Sequence, residues 1–303
     1  MKISFVYSII LVMKLNGRRE SSNVDDRRGM SGMQKAGIGG IGGILIAVVM
    51  MLLSGGDLGS LISSVDLGSL TSGAQEQTAP QREFTPEEQE LAKFSRQILA
   101  GTEDVWTEVF KQMGKTYTPP KMVLYTGSVQ TRCGNGMSSM GPFYCSGDQC
   151  LYIDLSFFTS MKRQLGADGD FAYAYVIAHE VGHHVEYLLG TLGQAHQQMS
   201  KMNKTDANRI SVRLELLADF YAGVWAHHDN KMFGSLEDGD LEEAIRCAEV
   251  IGDNYLQEKA QGYSQPETFT HGTSAQRMKW LKLGLSTGDM RRGNTFQLSD
   301  SQL

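Results

Sequence analysis

The chain spans 303 residues, 41% of them hydrophobic and 20% charged, and carries a formal net charge of −6 at pH 7. This length is enough for one sizeable hydrophobic core with a tail, and the composition is ordinary for a globular protein. Residues 1–54 carry seven Lys or Arg and three Asp or Glu, a net charge of +4, so the remaining residues carry −10. We therefore expect no nucleic-acid partner, because nucleic-acid binding needs a basic surface and the larger part of the chain is acidic.

An uncharged apolar stretch of 19 residues, AGIGGIGGILIAVVMMLLS, occupies residues 36–54. At a rise of 1.5 Å per residue it is long enough to cross a bilayer as one transmembrane helix, and its glycines are frequent in membrane helices. A buried core helix and the apolar part of a signal peptide are alternatives. Signal segments are usually shorter, however, and no clear A-x-A cleavage site follows. The earlier apolar run over residues 3–13 is too short to span.

Basic residues precede this stretch, and the positive-inside rule keeps such an end of a membrane helix in the cytoplasm. They are Arg18, Arg19, Arg27, Arg28 and Lys35. The rule predicts a single-pass protein of the inner (cytoplasmic) membrane, with residues 1–35 in the cytoplasm and the chain after residue 54 in the periplasm. Gly39 and Gly43 form one G-x-x-x-G motif, which favours helix pairing and hence a homo-oligomer.

Residues 55–83 are rich in Gly, Ser, Gln and Asp, a composition that predicts a tether to a folded domain over residues 84–303. The domain opens with a helix signal. Thr85 is a good N-cap, Pro86 suits the first helical position and Glu88 completes a capping box. We expect this helix to run to about residue 113.

Two segments, 121–126 (KMVLYT) and 149–155 (QCLYIDL), have the composition of β-strands. We expect one of them to be an edge strand that pairs with an extended partner chain, and the loop 129–144 to rim the same cleft. The rest of the chain predicts helices over 156–166, 168–190, 205–229, 239–260 and 273–286. The predicted class is therefore α+β, mostly helical with a small sheet.

All four cysteines follow the predicted span: Cys133, Cys145, Cys150 and Cys247. An even number in an oxidising compartment favours disulfides, for which four cysteines allow three connectivities. We favour a Cys133–Cys145 bridge, because these residues bracket a Gly/Ser-rich loop that a crosslink would hold. Zinc binding by the thiols is the alternative, although no C-x-x-C spacing supports it.

The predicted helix 168–190 contains the run HEVGH, which has the pattern H-E-x-x-H. His179 and His183 are four residues apart and so lie on one face of the helix, where two imidazoles can bind one Zn²⁺. Glu180 lies beside them and can take a proton from a zinc-bound water. Gly182 is a poor helix former, and it indicates close approach of another backbone or of a substrate.

The third ligand is not supplied by the same helix. A metzincin would carry Gly and His where this chain has Glu186 and Leu189. Acidic residues inside the apolar helix 205–229 provide the alternative, because such groups are costly unless paired or metal-bound. We expect Glu215 to ligate zinc and Asp219 to accept the free N–H of a ligating histidine. His184 is a weaker ligand candidate, since it lies about 100° around the helix.

These motifs resemble a known family. HEVGHH followed by ELLADFYAGVWA, together with GRRESSNVDDRRG, GPFYCSGDQCLYIDLSFF and HGTSAQRMKWLKLGLSTGD, is similar to the bacterial membrane-anchored family named putative neutral zinc metallopeptidases. The resemblance covers roughly residues 14 to 290. It implies a zinc-dependent hydrolase with a mostly helical, zincin-like domain, a downstream Glu ligand as in gluzincins, and one N-terminal transmembrane helix.

The expected chemistry is hydrolysis of a peptide or protein substrate, with Glu180 as the general base. Thermolysin-like enzymes hydrogen-bond the oxyanion through a histidine or tyrosine, and His271 is our candidate for this role. Tyr221, Tyr255 and Tyr263 are alternatives between which spacing cannot decide. Two other readings stay open: a membrane-anchored scaffold with a structural zinc, and a latent peptidase blocked by the loop 129–144.

Overall fold

The computed structural model of the chain describes residues 13–29 and 83–303. The predicted transmembrane stretch 36–54, its G-x-x-x-G motif and almost all of the predicted tether lie outside these residues. Within the two described ranges, no helix has the length and apolar character needed to cross a membrane.

A four-stranded sheet forms one side of the domain, with strand order β1-β2-β6-β5. Its strands are β1 (Val24–Asp26), β2 (Lys121–Tyr125), β5 (Phe143–Cys145) and β6 (Cys150–Asp154). The first three strands in that order are parallel, and β5 runs antiparallel to β6. Both predicted strands are confirmed as β2 and β6, whose continuous apolar runs suit the buried centre of a sheet.

The predicted loop 129–144 contains more regular structure than its Gly/Ser-rich sequence indicates. Strands β3 (Ser128–Thr131) and β4 (Gly134–Met137) form a separate antiparallel hairpin, and β5 follows directly. Glycines in β4 leave no apolar alternation to detect, and Gly134 has a φ of 122°, which only glycine adopts readily.

Eight α-helices occur in the described residues. They are α1 (Pro86–Gln112), α2 (Ser156–Ser160), α3 (Asp170–Leu189), α4 (Thr191–Met199), α5 (Lys204–Phe233), α6 (Asp240–Val250), α7 (Asp253–Gln261) and α8 (Ser274–Thr287). The predicted capping box of α1 is confirmed, since the Thr85 side chain accepts the Glu88 N–H and the Glu88 carboxylate accepts the Thr85 N–H at 2.8 Å.

The predicted helix 239–260 is divided in two, and α4 was not predicted. The division falls at Gly252, where a Cβ atom would lie 2.4 Å from the backbone nitrogen of Ser274. The contact of Gly252 with Ser274 therefore explains why the helix is interrupted here. The hydrophobic periodicity of residues 239–260 contains no sign of this contact. The expected helix over 156–166 is α2 continued by a π-helical turn, Met161–Leu165.

Residues 13–29 belong to the folded domain. The predicted division at residue 35 implied instead that they form a separate segment. Val24 is opposite Met122 in the parallel pairing of β1 with β2, and Met13 and Leu15 are buried in the main core. The strand sequence VDD is too short and too acidic to be recognised as a strand from its pattern.

Helices α5 and α8 cross closely through a pair of glycines. A Cβ atom on Gly223 would lie 2.2 Å from the carbonyl oxygen of Leu281, and one on Gly284 would lie 2.1 Å from the carbonyl oxygen of Phe220. The obstructing atoms belong to the backbone, so they cannot move aside as a flexible side chain would. This crossing holds α8 against the helix that carries Glu215 and Asp219.

We predict that Gly223→Ala lowers the free energy of unfolding by about 1–3 kcal/mol, because the added methyl overpacks a backbone crossing. Gly193→Ala is the matched control, since Gly193 is exposed on α4 with nothing within 4 Å of its would-be Cβ. That change should raise the free energy of unfolding by roughly 0.5–1 kcal/mol through helix propensity. Urea unfolding measures both, and an equal effect at the two sites would contradict the proposed crossing.

Candidate metal centre

Two helices supply the side chains of the site. Helix α3 presents His179, Glu180 and His183, and the facing helix α5 presents Glu215. Gly182 permits this approach, because a Cβ atom there would lie 2.9 Å from the carbonyl oxygen of Ala218 on α5. Gly182 was expected to allow close approach of another backbone or of a substrate, and the structure shows the approach of another backbone.

The donor atoms converge on one point. Nε2 of His179 lies 3.1 Å from Oε2 of Glu215, and Nε2 of His183 lies 3.5 Å from Oε1 of the same carboxylate. One donor atom from each of the three residues lies within 4.8 Å of the others. A tetrahedral zinc with bonds of ~2.1 Å separates its ligand atoms by ~3.4 Å, so this donor set fits zinc in both spacing and chemistry.

Each histidine is held by a carboxylate on its far nitrogen. Nδ1 of His179 lies 2.8 Å from Oδ1 of Asp219, the residue predicted for this contact, and Nδ1 of His183 lies 2.9 Å from Oε2 of Glu186. Such contacts fix the ring orientation and leave Nε2 directed at the metal position. The sequence reading missed Glu186, although its i,i+3 spacing from His183 could have indicated the contact.

Asp219 is itself held by two further groups. Nε and Nη2 of Arg277 donate to its two oxygens at 2.8 and 2.9 Å, and the Tyr175 hydroxyl donates at 2.5 Å. Arg277 lies on α8 and is only 3% exposed. Sequence reasoning missed this residue too, because Lys279 and Lys282 lie on the same helix and no local pattern distinguishes Arg277 from them.

The charges around the site shift the protonation of both histidines. Burial disfavours imidazolium, but Asp219 and Glu215 raise the pKa of His179 to about 10. Burial likewise opposes the charge on His183, and Glu215 and Glu186 raise its pKa to about 9. Burial raises the pKa of Glu186 to about 7, even though His183 lowers it. Without metal, both imidazoles are therefore protonated near neutral pH.

The donor set opens into a cleft of about 300 Å³. Glu180 lines this cleft and is 8% exposed, and burial raises the pKa of its carboxyl group even though the two histidines lower it. Apolar side chains also line the cleft, namely Met140, Pro142, Phe143, Phe157, Val176 and Leu256. The cleft thus combines a carboxylate of raised pKa with a surface suited to an apolar side chain.

His271 lines the same cleft, whereas the alternative tyrosines do not. Tyr221 is buried against Trp106, with ring centroids 5.7 Å apart, and Tyr263 is 54% exposed. Nδ1 of His271 lies 3.2 Å from Oδ1 of Asp253. Burial opposes its positive charge, but the carboxylates of Glu215 and Asp253 raise the pKa of His271.

Asp253 organises the loop that carries His271. Its Oδ2 accepts backbone N–H groups from Thr270, His271 and Gly272 at 2.7, 2.6 and 3.0 Å. The residue was not predicted, because nothing near it in the sequence indicates a partner 18 positions away.

His184 faces away from the metal position. Its Nε2 donates to the carbonyl oxygen of Thr118 at 2.7 Å, and its Nδ1 accepts the Tyr144 hydroxyl at 2.9 Å. Burial lowers its pKa to about 4, so the ring is neutral. The structure therefore assigns His184 to packing between α3 and the sheet and not to the donor set.

A disulfide crosslinks the segment 129–144 that was expected to rim the cleft. Cys133 and Cys145 form a disulfide with a Cα–Cα distance of 5.8 Å, while Cys150 and Cys247 are buried free thiols. The segment 140–144 of this rim lines the cleft directly.

The two segments expected to supply an edge strand, 121–126 and 149–155, do not. They form β2 and β6, and each of these strands already has a neighbour on both sides. The edge strand next to the cleft is β5, which contributes Phe143 and Tyr144 to its lining. This correction follows from strand order, which a sequence pattern does not encode.

Comparison with known proteins identifies a family for this chain. Residues 13–296 match the family described as putative neutral zinc metallopeptidase. The uncharacterized protein YpfJ of Escherichia coli K12 is 49% identical over 293 residues, which cover 94% of this chain and 99% of that protein. The uncharacterized protein Rv2575 of Mycobacterium tuberculosis H37Rv is 42% identical over 202 residues, which cover 63% of this chain and 67% of that protein. No solved structure matches.

The fold and the donor set define an α+β protein with a zinc-type site between two helices. The chain belongs to the putative neutral zinc metallopeptidase family.

We predict that zinc binding to the metal-free protein at pH 7 releases about two protons, because His179 and His183 must be neutral to ligate. The raised pKa values, about 10 and about 9, also predict that zinc affinity increases as the pH rises from 7 towards 9. Titration calorimetry in buffers of different ionisation enthalpy measures the protons released. An observed heat that does not depend on the buffer would contradict the prediction.

Proposed function

We propose that this protein is a zinc-dependent peptidase that hydrolyses peptide bonds in extended substrates. The observation that carries the proposal is the cleft in which Glu180 lies beside the converging donors of His179, His183 and Glu215. A purely structural zinc site has no use for a general base beside it, so the presence of Glu180 in the cleft favours catalysis over the scaffold alternative.

A zinc ion held by His179, His183 and Glu215 would supply a Lewis acid that lowers the pKa of water towards ~7. The chain itself supplies the proton transfer. Glu180 is buried in the cleft with a raised pKa, which suits a group that first accepts a proton and then returns it to the leaving amine. The apolar side chains of Phe157 and Val176 line the same cleft.

His271 is proposed to stabilise the negative charge that develops on the substrate carbonyl oxygen. In this role the ring carries a proton on Nε2 while Asp253 holds Nδ1, and the Asp253 carboxylate raises the pKa of His271. A fixed donor of this kind stabilises the transition state more than the ground state. Asp253 is a positioning residue for this group, since it fixes both the ring and its loop.

The substrate is proposed to bind as an extended segment along β5. This strand has a free edge beside the cleft, where main-chain hydrogen bonds would give affinity irrespective of sequence. The apolar wall formed by residues such as Phe143 and Leu256 favours a substrate with an apolar side chain next to the cleaved bond.

We predict that Glu180→Gln retains stoichiometric zinc but loses about 10²–10⁴-fold in hydrolysis of unfolded casein, because Gln cannot accept the proton. Glu242→Gln is the matched control, since Glu242 is an exposed residue of α6 outside the cleft. Zinc content and cleavage rate are measured together on the full chain. Wild-type activity in Glu180→Gln would reject the assigned base, and zinc without cleavage in the wild type would favour the latent or scaffold reading.

We predict that Asp253→Asn keeps its zinc, lowers kcat and shifts the alkaline limb of the pH profile to lower pH. The sign follows from the proposed role: His271 must be protonated, activity falls as pH rises through its pKa, and Asp253 raises that pKa. The pH dependence of kcat/KM for a peptide substrate tests this. An unchanged profile with wild-type kcat would remove His271 from the proposed oxyanion role.

A further inference from the structure

The N-terminal segment 13–29 is joined to the domain by backbone hydrogen bonds. The Met122 N–H donates to Asn23 O at 2.8 Å, the Arg27 N–H donates to Leu124 O at 2.8 Å, and the Ser21 N–H donates to Arg96 O at 3.0 Å. The first two contacts continue the parallel pairing of β1 with β2. This segment is thus a structural part of the sheet, at the edge opposite β5.

Buried side-chain contacts reinforce this attachment. The Ser21 hydroxyl donates to Oε1 of Glu103 at 2.5 Å, and Nδ2 of Asn23 donates to the same oxygen at 2.8 Å. Nε2 of Gln97 donates to the carbonyl oxygens of Leu15 and Arg18. Glu103 is only 6% exposed, so removal of the segment would leave a buried carboxylate without these partners.

Three of the four arginines that the positive-inside rule counts are bound to the domain through their side chains. Arg18 pairs with the buried Asp229 at 2.8 Å, and Arg19 pairs with Asp104 at 2.6 Å. Arg28, whose side chain is 5% exposed, donates to the carbonyl oxygen of Glu88 at 2.7 Å. These charges have a structural use, because a buried ion pair strongly requires both of its partners. They therefore do not by themselves indicate a cytoplasmic end.

The contacts between residues 13–29 and the domain determine on which side of a membrane each can lie, because a bilayer is far thicker than the spacing of paired strands. A bilayer separates its two sides by a hydrocarbon layer of ~30 Å, whereas paired strands lie ~4.8 Å apart. The two described parts of the chain must consequently share one side of any membrane. Between them, residues 36–54 are the one uncharged stretch long enough to span, because Asp57, Asp66 and Glu76 interrupt the sequence that follows.

We propose that residues 13–29 and 83–303 lie on the same side of the membrane, and that the apolar stretch 36–54 does not carry the chain across it in a single pass. This replaces the predicted topology, in which the N-terminal segment and the domain were on opposite sides. The proposal does not depend on the proposed peptidase activity.

The test is thiol labelling of the full chain in bacterial spheroplasts with a membrane-impermeant maleimide, before and after detergent. Ser22→Cys reports on the N-terminal segment and Lys115→Cys on the domain, since both positions are exposed. The parent chain gives the background, because its free Cys150 and Cys247 are buried. Asn16→Cys, also exposed, is a second reporter for the segment if Ser22→Cys disturbs the fold.

The proposal predicts that the reporter cysteines of the segment and of the domain give the same result before detergent is added, either both strong labelling or both background labelling. Every reporter cysteine should be labelled after detergent is added. Labelling of one reporter before detergent, with the other labelled only afterwards, would overturn the proposal and restore the single-pass topology.

Discussion

The site depends on one buried carboxylate. Asp219 on α5 is fully buried and binds Nδ1 of His179 on α3, the guanidinium of Arg277 on α8 and the hydroxyl of Tyr175. A charge in this position is costly unless it is paired and hydrogen-bonded, and these partners satisfy both of its oxygens. Burial opposes its ionisation, but Arg277 and His179 lower its pKa to about 2. The same contacts that keep Asp219 charged fix the orientation of a metal-binding ring.

The remaining charges of the cleft follow from this arrangement. Glu215 has a pKa held well below its usual range, against the effect of burial, by His271 and the two imidazoles that face it. Glu186 and Asp253 hold His183 and His271 in the same way as Asp219 holds His179. A zinc ion would replace the protons of the ligating imidazoles, so the carboxylates that raise their pKa values are also those that would stabilise the metal.

Sequence reasoning reached those features that local spacing determines. The i,i+4 relation of His179 and His183 and the capping box of α1 are set within a few residues, and helix geometry then fixes them. Arg277 and Asp253 could not be assigned, because their partners lie 58 and 18 positions away and only the fold brings them together. The ion pairs of Arg18 and Arg19 with the domain could not be predicted for the same reason, since composition alone does not distinguish a membrane signal from an ion pair.

The central claim is that one zinc ion is held by two imidazoles and a carboxylate between α3 and α5. X-ray absorption spectroscopy of the full chain, loaded with one equivalent of zinc, tests it most directly. The account predicts nitrogen and oxygen ligands at ~2.0–2.2 Å, and the loss of one imidazole in His183→Ala. Sulfur ligands at ~2.3 Å, or a spectrum that His183→Ala leaves unchanged, would contradict the account and favour binding by the cysteines.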